Sequence, residues 1–217
     1  MKLICEVQEQ KLEFVTEAKE DGEKEYFIEG IFMQADIKNR NGRVYPVATL
    51  QKEVERYNRE YVAKNRAYGE LGHPQGPVIN LDRVSHMIKD LKQDGNNFIG
   101  RAKIMGTPMG DIVKNLMREG ATLGVSSRGM GTLKNNEKGV AEVQNDFLLA
   151  TAGDIVADPS APSAFVEGIM EGVEWVQVNN AWVAREVEDI QKTISNTSKR
   201  DLEERKLEVF NRFLSRL

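Results

Sequence analysis

Two adjacent hydroxyls followed by glycines, in Gly124-Val125-Ser126-Ser127-Arg128-Gly129-Met130-Gly131, are the side chains of this sequence best suited to nucleophilic chemistry. In an extended segment successive side chains point to opposite faces, so Leu123, Val125 and Ser127 share one side and Gly124, Ser126 and Arg128 the other. If the apolar side faces inward, Ser126 is the serine a substrate can reach. Gly129 and Gly131 can take positive φ and let a backbone approach closely, as N–H groups aimed at a developing oxyanion require, with Arg128 anchoring the turn. The plainer reading is a strand that ends in a Ser/Gly turn.

A serine nucleophile needs a base, and the chain offers two histidines, His73 and His86. His73 lies in Gly69-Glu70-Leu71-Gly72-His73-Pro74, where the proline biases it to an extended conformation. His86 shares its alternation with Val84 and Ile88 and reads as a buried side chain. Taken singly, each is better explained as a structural or surface histidine. The single cysteine, Cys5, has no histidine beside it in sequence and is a poorer nucleophile candidate. It excludes an internal disulfide framework and gives no zinc pattern, so a cytosolic protein is expected.

A framework must hold these residues, and 217 residues suffice for one sizeable core. The balance of 30 basic against 34 acidic residues, net −4, gives no reason to expect nucleic-acid binding through bulk charge. No apolar run approaches the roughly 18 residues of a membrane span, and the N-terminus carries no signal-peptide pattern.

Residues 1–25 are charged and weakly patterned, with a turn at Glu20-Asp21-Gly22-Glu23-Lys24. Tyr26–Ala35 reads as a strand that ends before the turn sequence Asn39-Arg40-Asn41-Gly42. After Tyr45-Pro46, the spacing of Val47, Leu50, Val54, Tyr57 and Tyr61 predicts an amphipathic helix. Arg83–Leu91 and Asn97–Met105 form a hairpin pattern around Asp94-Gly95-Asn96. Thr107-Pro108 starts a second helix with Ile112, Val113, Leu116 and Met117 as its buried stripe, ended by Gly120. The serine strand, Val140–Leu149 and Thr151–Ala157 complete an α+β domain on an antiparallel sheet or barrel.

Beyond about residue 172 the composition shifts. Trp182, Val183, Val187, Ile190 and Ile194 have helical spacing. A second helix is expected from Ser198, capped with Asp201 and striped by Leu202, Leu207, Phe210, Leu214 and Leu217. The expected domains are therefore residues 1–171 and a helical tail of residues 172–217, which either packs on the core or serves as a partner-binding or removable segment.

Five segments in order carry a family resemblance: Glu29–Ala35, Asn39–Pro46, Gly69–Pro74, Gly124–Gly129 and Pro159-Ser160-Ala161-Pro162. Over about residues 26–165 the chain resembles the prohead core protein proteases of T-even-like tailed bacteriophages, serine peptidases of capsid maturation. The resemblance implies a closed antiparallel β-barrel flanked by helices, like that of the herpesvirus assembly proteases. It implies an enzyme packaged inside the immature capsid, assembled in the host cytoplasm, that digests scaffold, trims capsid proteins and processes itself. No metal or other cofactor is implied, and homo-oligomerisation stays open by analogy with the dimeric herpesvirus enzymes.

Carried over by position, the resemblance makes Ser126 the nucleophile and His73 the general base, with main-chain N–H groups near Arg128 and Gly129 holding the oxyanion. It places an acidic residue at Asp154, which would hold the imidazole tautomer; His86 competes for this role because herpesvirus enzymes use a second histidine. Glu70 is a poorer choice, since three residues before His73 in an extended run it projects to the opposite face. Proteases of this family cut after glutamate, and Ile169-Met170-Glu171-Gly172 fits that pattern, so self-cleavage is expected between Glu171 and Gly172. Met117-Arg118-Glu119-Gly120 is a poorer match at a helix end. Arg128 and Arg101 suit a glutamate-binding pocket. A non-catalytic capsid or scaffold component with the same barrel is the alternative. A small-ester hydrolase is unsupported, because no Gly-x-Ser-x-Gly elbow is present.

Overall fold

The structure, a computed structural model, describes residues 1–7, 12–18, 24–39, 41–74, 76–137 and 139–157, and the backbone of residues 174–178 and 181–185. Its framework is two five-stranded sheets and one small sheet. The first large sheet holds β2 (Glu13–Ala18), β3 (Lys24–Gln34), β5 (Tyr68–Glu70), β6 (Val84–Asp94) and β7 (Asn97–Ile104), in the order β2-β3-β7-β6-β5. The second is built from β1 (Lys2–Val7), β8 (Gly124–Gly131), β11 (Leu148–Val156), β12 (Glu174–Val178) and β13 (Ala181–Arg185), in the order β11-β8-β1-β12-β13. β4 (Arg43–Val44), β9 (Leu133–Asn135) and β10 (Ala141–Val143) form the third.

Local chemistry explains most of these elements. β6 and β7 make the hairpin expected from the sequence, antiparallel and turned at Gly95-Asn96. Strict alternation in β7 buries Phe98, Gly100, Ala102 and Ile104 and leaves the residues between them partly exposed. Helix α1 (Val47–Tyr57) follows Pro46 and turns Leu50, Val54 and Tyr57 into the core, then runs into a π-helical turn at Asn58–Val62. Helix α2 (Pro108–Arg118) starts where the Thr107 hydroxyl accepts the Gly110 N–H at 3.1 Å, with proline in its first turn. Ile28, Phe32, Ile88 and Phe98 of one sheet and Val125 and Ile155 of the other meet in one apolar cluster, closed by the buried side of α1.

Four expectations are corrected. The barrel does not close: β5 and β11 meet through one isolated parallel bridge, Leu71 with Ile155, and among the described strands β2 and β13 each have a single neighbour. A barrel needs an unbroken ladder around its circumference, so these sheets stay open. The tail is not helical through Trp182 and Val183, which lie in β13, paired antiparallel to β12. Two β-rich runs separated by Asn179-Asn180 were the signal, and helical spacing masked it. On α2, Val113 is buried and Met117 packs against the core, whereas Ile112 and Leu116 are exposed. The weakly patterned N-terminus supplies β1, the strand hydrogen-bonded to the serine strand from Lys2↔Gly131 to Val7↔Ser126. The residues from Ser198 onward and Pro159–Pro162 lie outside the described residues.

Candidate active site

Ser126 sits in the middle of β8, a strand buried along its whole length. The alternation holds, since Val125 joins the apolar core while Ser126 and Arg128 share the other face, but that face is covered too, and Ser126 is fully buried. Its register partner across the β8–β11 ladder is Asp154. Directly paired residues of antiparallel strands present their side chains to the same face within about 5.5 Å between Cβ atoms. The ladder thus delivers a serine and a carboxylate to one spot from strands far apart in sequence.

His73 arrives by a different route. Glu70 ends β5, and its N–H donates to Asp154 Oδ1 at 2.9 Å; two residues on, the Gly72 N–H donates to Ile155 O at 2.8 Å. Gly72 has φ +77°, a conformation that a side chain would strain, and the chain turns there toward β11. His73 Nδ1 then lies 3.2 Å from Asp154 Oδ2. Its other nitrogen, Nε2, is buried without a hydrogen-bond partner, and so is the Ser126 hydroxyl. Buried polar atoms are nearly always paired, so each of these two unpartnered atoms calls for an explanation.

Burial alone opposes ionisation of Asp154, but the His73 hydrogen bond, the Arg128 charge and the Glu70 N–H together hold its carboxyl below the usual range.

His86, the competing third member, is spent elsewhere. Its Nδ1 meets the Ser85 hydroxyl and its Nε2 the Gly153 carbonyl, both at 2.9 Å. Gly69 makes room for this, because a Cβ there would lie 2.1 Å from His86 Nε2. Burial pushes the His86 pKa down against the opposing effects of the Gly153 carbonyl and Asp154. A histidine kept neutral in the fold but free to charge when unfolded stabilises fully above the unfolded value of about 6.5, and that contribution fades as pH falls below it. Urea unfolding of the wild type is expected to weaken from about pH 6.5 downward, with the slope reduced in His86→Gln; equal slopes would refute the assignment.

Glu70, expected on the opposite face, is fully buried beside the same carboxylate, because the turn at Gly72 breaks the alternation. Arg128 is fully buried, and its side chain turns toward Asp154 and Glu70 rather than lining an accessible surface. Gly129 and Gly131 are not at positive φ; β8 runs straight through them, Gly129 pairs with Ile4 and Leu149, and the Phe147 ring packs against it. Arg101 is engaged on β7 by Glu17 and Glu29, over the Phe27 ring. Cys5 is buried, and burial with the nearby Asp154 charge pushes its thiol pKa far up, so no thiolate forms there. Glu171 and Gly172 lie outside the described residues. The sequence signal for Glu70 and Arg128 was their place in the same two motifs as His73 and Ser126.

Comparison with known proteins gives the class: the chain is a serine protease. More particularly, it belongs to the prohead core protein serine protease family, whose model matches residues 6–174. It is 40% identical over 142 residues to the prohead core protein protease of Enterobacteria phage T4, covering 64% of this chain and 67% of that one. Its fold is similar to the solved structure of the bacteriophage T4 capsid assembly protease, with TM-score 0.67 and 34% identity, covering 71% of this chain and 97% of that chain. The family named from the five ordered segments is the family found.

Proposed function

We propose that this protease acts inside the immature capsid of a phage, on scaffold and capsid proteins and on itself, with Ser126, His73 and Asp154 as its catalytic residues. The observation that carries the assignment is the pair of unpartnered buried atoms, Ser126 Oγ and His73 Nε2, with Ser126 the register partner of Asp154, whose carboxylate is bonded to His73 Nδ1. In this mechanism Asp154 fixes the tautomer with the proton on Nδ1, leaving Nε2 as the base. The Ser126 oxygen attacks the peptide carbonyl carbon as its proton passes to Nε2. The imidazolium returns that proton to the departing amine, and water, deprotonated in the same way, releases the acyl group and restores the hydroxyl.

Cleavage follows glutamate in this proposal, and the chain cuts itself between Glu171 and Gly172. The residue after the cut is two positions before β12, whose ladder to β1 has one register pair, Lys2 with Glu174. Among the described residues this short ladder is what pairs the segment with the rest of the sheet, which supports release by a single cut. Residues 1–171 then form the working enzyme and residues 172–217 the segment released.

Intact-mass measurement of the purified full chain over time tests this. A product ending at Glu171, absent from a Ser126→Ala preparation, is the expected result. A wild-type chain that stays whole while it digests added scaffold would refute self-cleavage at this bond.

A further inference from the structure

Arg128 is the largest fully buried side chain in the described structure, and its position two residues after Ser126 on the same face of β8 places it beside the proposed site. A guanidinium has five N–H donors. All five are used: Nε on Asp154 Oδ2 at 2.9 Å, Nη2 on Asp154 Oδ1 at 3.5 Å and on Glu70 Oε1 at 3.1 Å, and Nη1 on the carbonyls of Val78, at 3.1 Å, and Gly76. No donor is left for a substrate or an oxyanion. We infer that Arg128 is a positioning residue: it clamps Asp154 in the orientation that receives His73 Nδ1, and through the Gly76 and Val78 carbonyls it fixes the segment that follows His73.

The geometry explains why arginine stands here. Asp154 accepts from Glu70 N–H, His73 and Arg128, so its two oxygens are pinned from three directions. A planar fork can bridge two carboxylates and two carbonyls at once, whereas an ammonium cannot. The charges also count. Asp154 from β11 and Glu70 from β5 bring two negative charges, and Arg128 from β8 brings one positive charge. Arg83, just before β6, approaches Glu70 at 3.5 Å from a half-exposed position where water screens it. His86 and Cys5 face the cluster from β6 and β1 as neutral groups. The buried set of Asp154, Glu70 and Arg128 therefore lacks one positive charge, and the imidazolium formed on His73 during the reaction supplies it. Glu70 makes the cluster favour that charge, and Arg128 keeps two carboxylates from repelling each other in its absence.

The inference rests on the Ser126–His73–Asp154 reading, and the test separates the two. The full chain is labelled with a fluorophosphonate, which reports serine activation without a peptide substrate, across about pH 5 to 9. Arg128→Lys keeps the charge and loses the fork, so labelling falls on the order of 10²-fold through misorientation of the dyad. Glu70→Gln keeps an acceptor for Arg128 and removes one negative charge, so the acid limb of the rate–pH profile moves to lower pH by roughly 0.5 to 1 unit. Arg128→Lys labelling at the wild-type rate, or a Glu70→Gln limb that stays in place, overturns the inference. Should Arg128→Lys fail to fold, the limb of Glu70→Gln decides alone. If the wild type does not label, or Ser126→Ala labels equally, the nucleophile assignment falls and takes this inference with it.

Discussion

Ser126→Ala is expected to cut kcat on a peptide spanning Ile169–Gly172 by on the order of 10⁴- to 10⁶-fold while leaving the fold intact. The rate loss rests on the proposed role of Ser126 as nucleophile, and the intact fold on one observation. The Ser126 hydroxyl is buried and makes no hydrogen bond, so removing it orphans no partner. The expected change in unfolding free energy is within about 1 kcal/mol. A side chain whose loss is silent for stability but ruinous for rate is one kept for chemistry. Ser127 is the natural control. It lies on the other face of β8, opposite Glu6 of β1. Ser127→Ala is expected to retain activity, and a variant set in which Ser127→Ala is dead and Ser126→Ala active would reverse the assignment.

Asp154→Asn is the second large effect, a fall of about 10⁴-fold in kcat. An asparagine carries one acceptor oxygen where the carboxylate has two, and here donors arrive from Glu70, His73 and Arg128. Its amide must point N–H groups at one of them. If that one is His73, the imidazole flips its tautomer and Nε2 no longer accepts the serine proton. Unlike the serine change, this one also destabilises, by roughly 3 kcal/mol, because it strips a buried guanidinium of one charge partner. Rates are therefore compared at a temperature where urea titration finds both proteins folded. The pH dependence supplies a check of sign. A carboxyl whose pKa is lowered in the fold stabilises fully above its unfolded value of about 3.9, and loses that contribution as pH falls through its folded value. Wild type should lose this increment in acid below about pH 4, and Asp154→Asn should lack it at every pH. Near-wild-type kcat in Asp154→Asn would remove Asp154 from the mechanism.

Sequence reasoning reached different elements unequally, for physical reasons. The β6–β7 hairpin and the start of α2 were legible because each is specified locally, by Asp94-Gly95-Asn96 and by Thr107-Pro108. β1 was not legible. It is a strand inside a sheet whose Leu3-Ile4-Cys5-Glu6 are buried on both faces, so period-two alternation never appears. The turn at Gly72 hid Glu70, because the face rule holds only while a segment stays extended.

The residue types by themselves determined a good deal: two histidines limited the base of any serine nucleophile to His73 or His86, and five ordered segments led to the family. What they left open was which acidic or imidazole group meets His73, and what Arg128 does. Only the tertiary structure decided those contacts. Asp154 meets His73 because β11 pairs with β8 in a register interrupted at Thr151, and because Gly72 turns the chain onto Ile155. Strand register and a single left-handed glycine act over some eighty residues of separation, as in the 81 between His73 and Asp154, and no local pattern encodes contacts at that range.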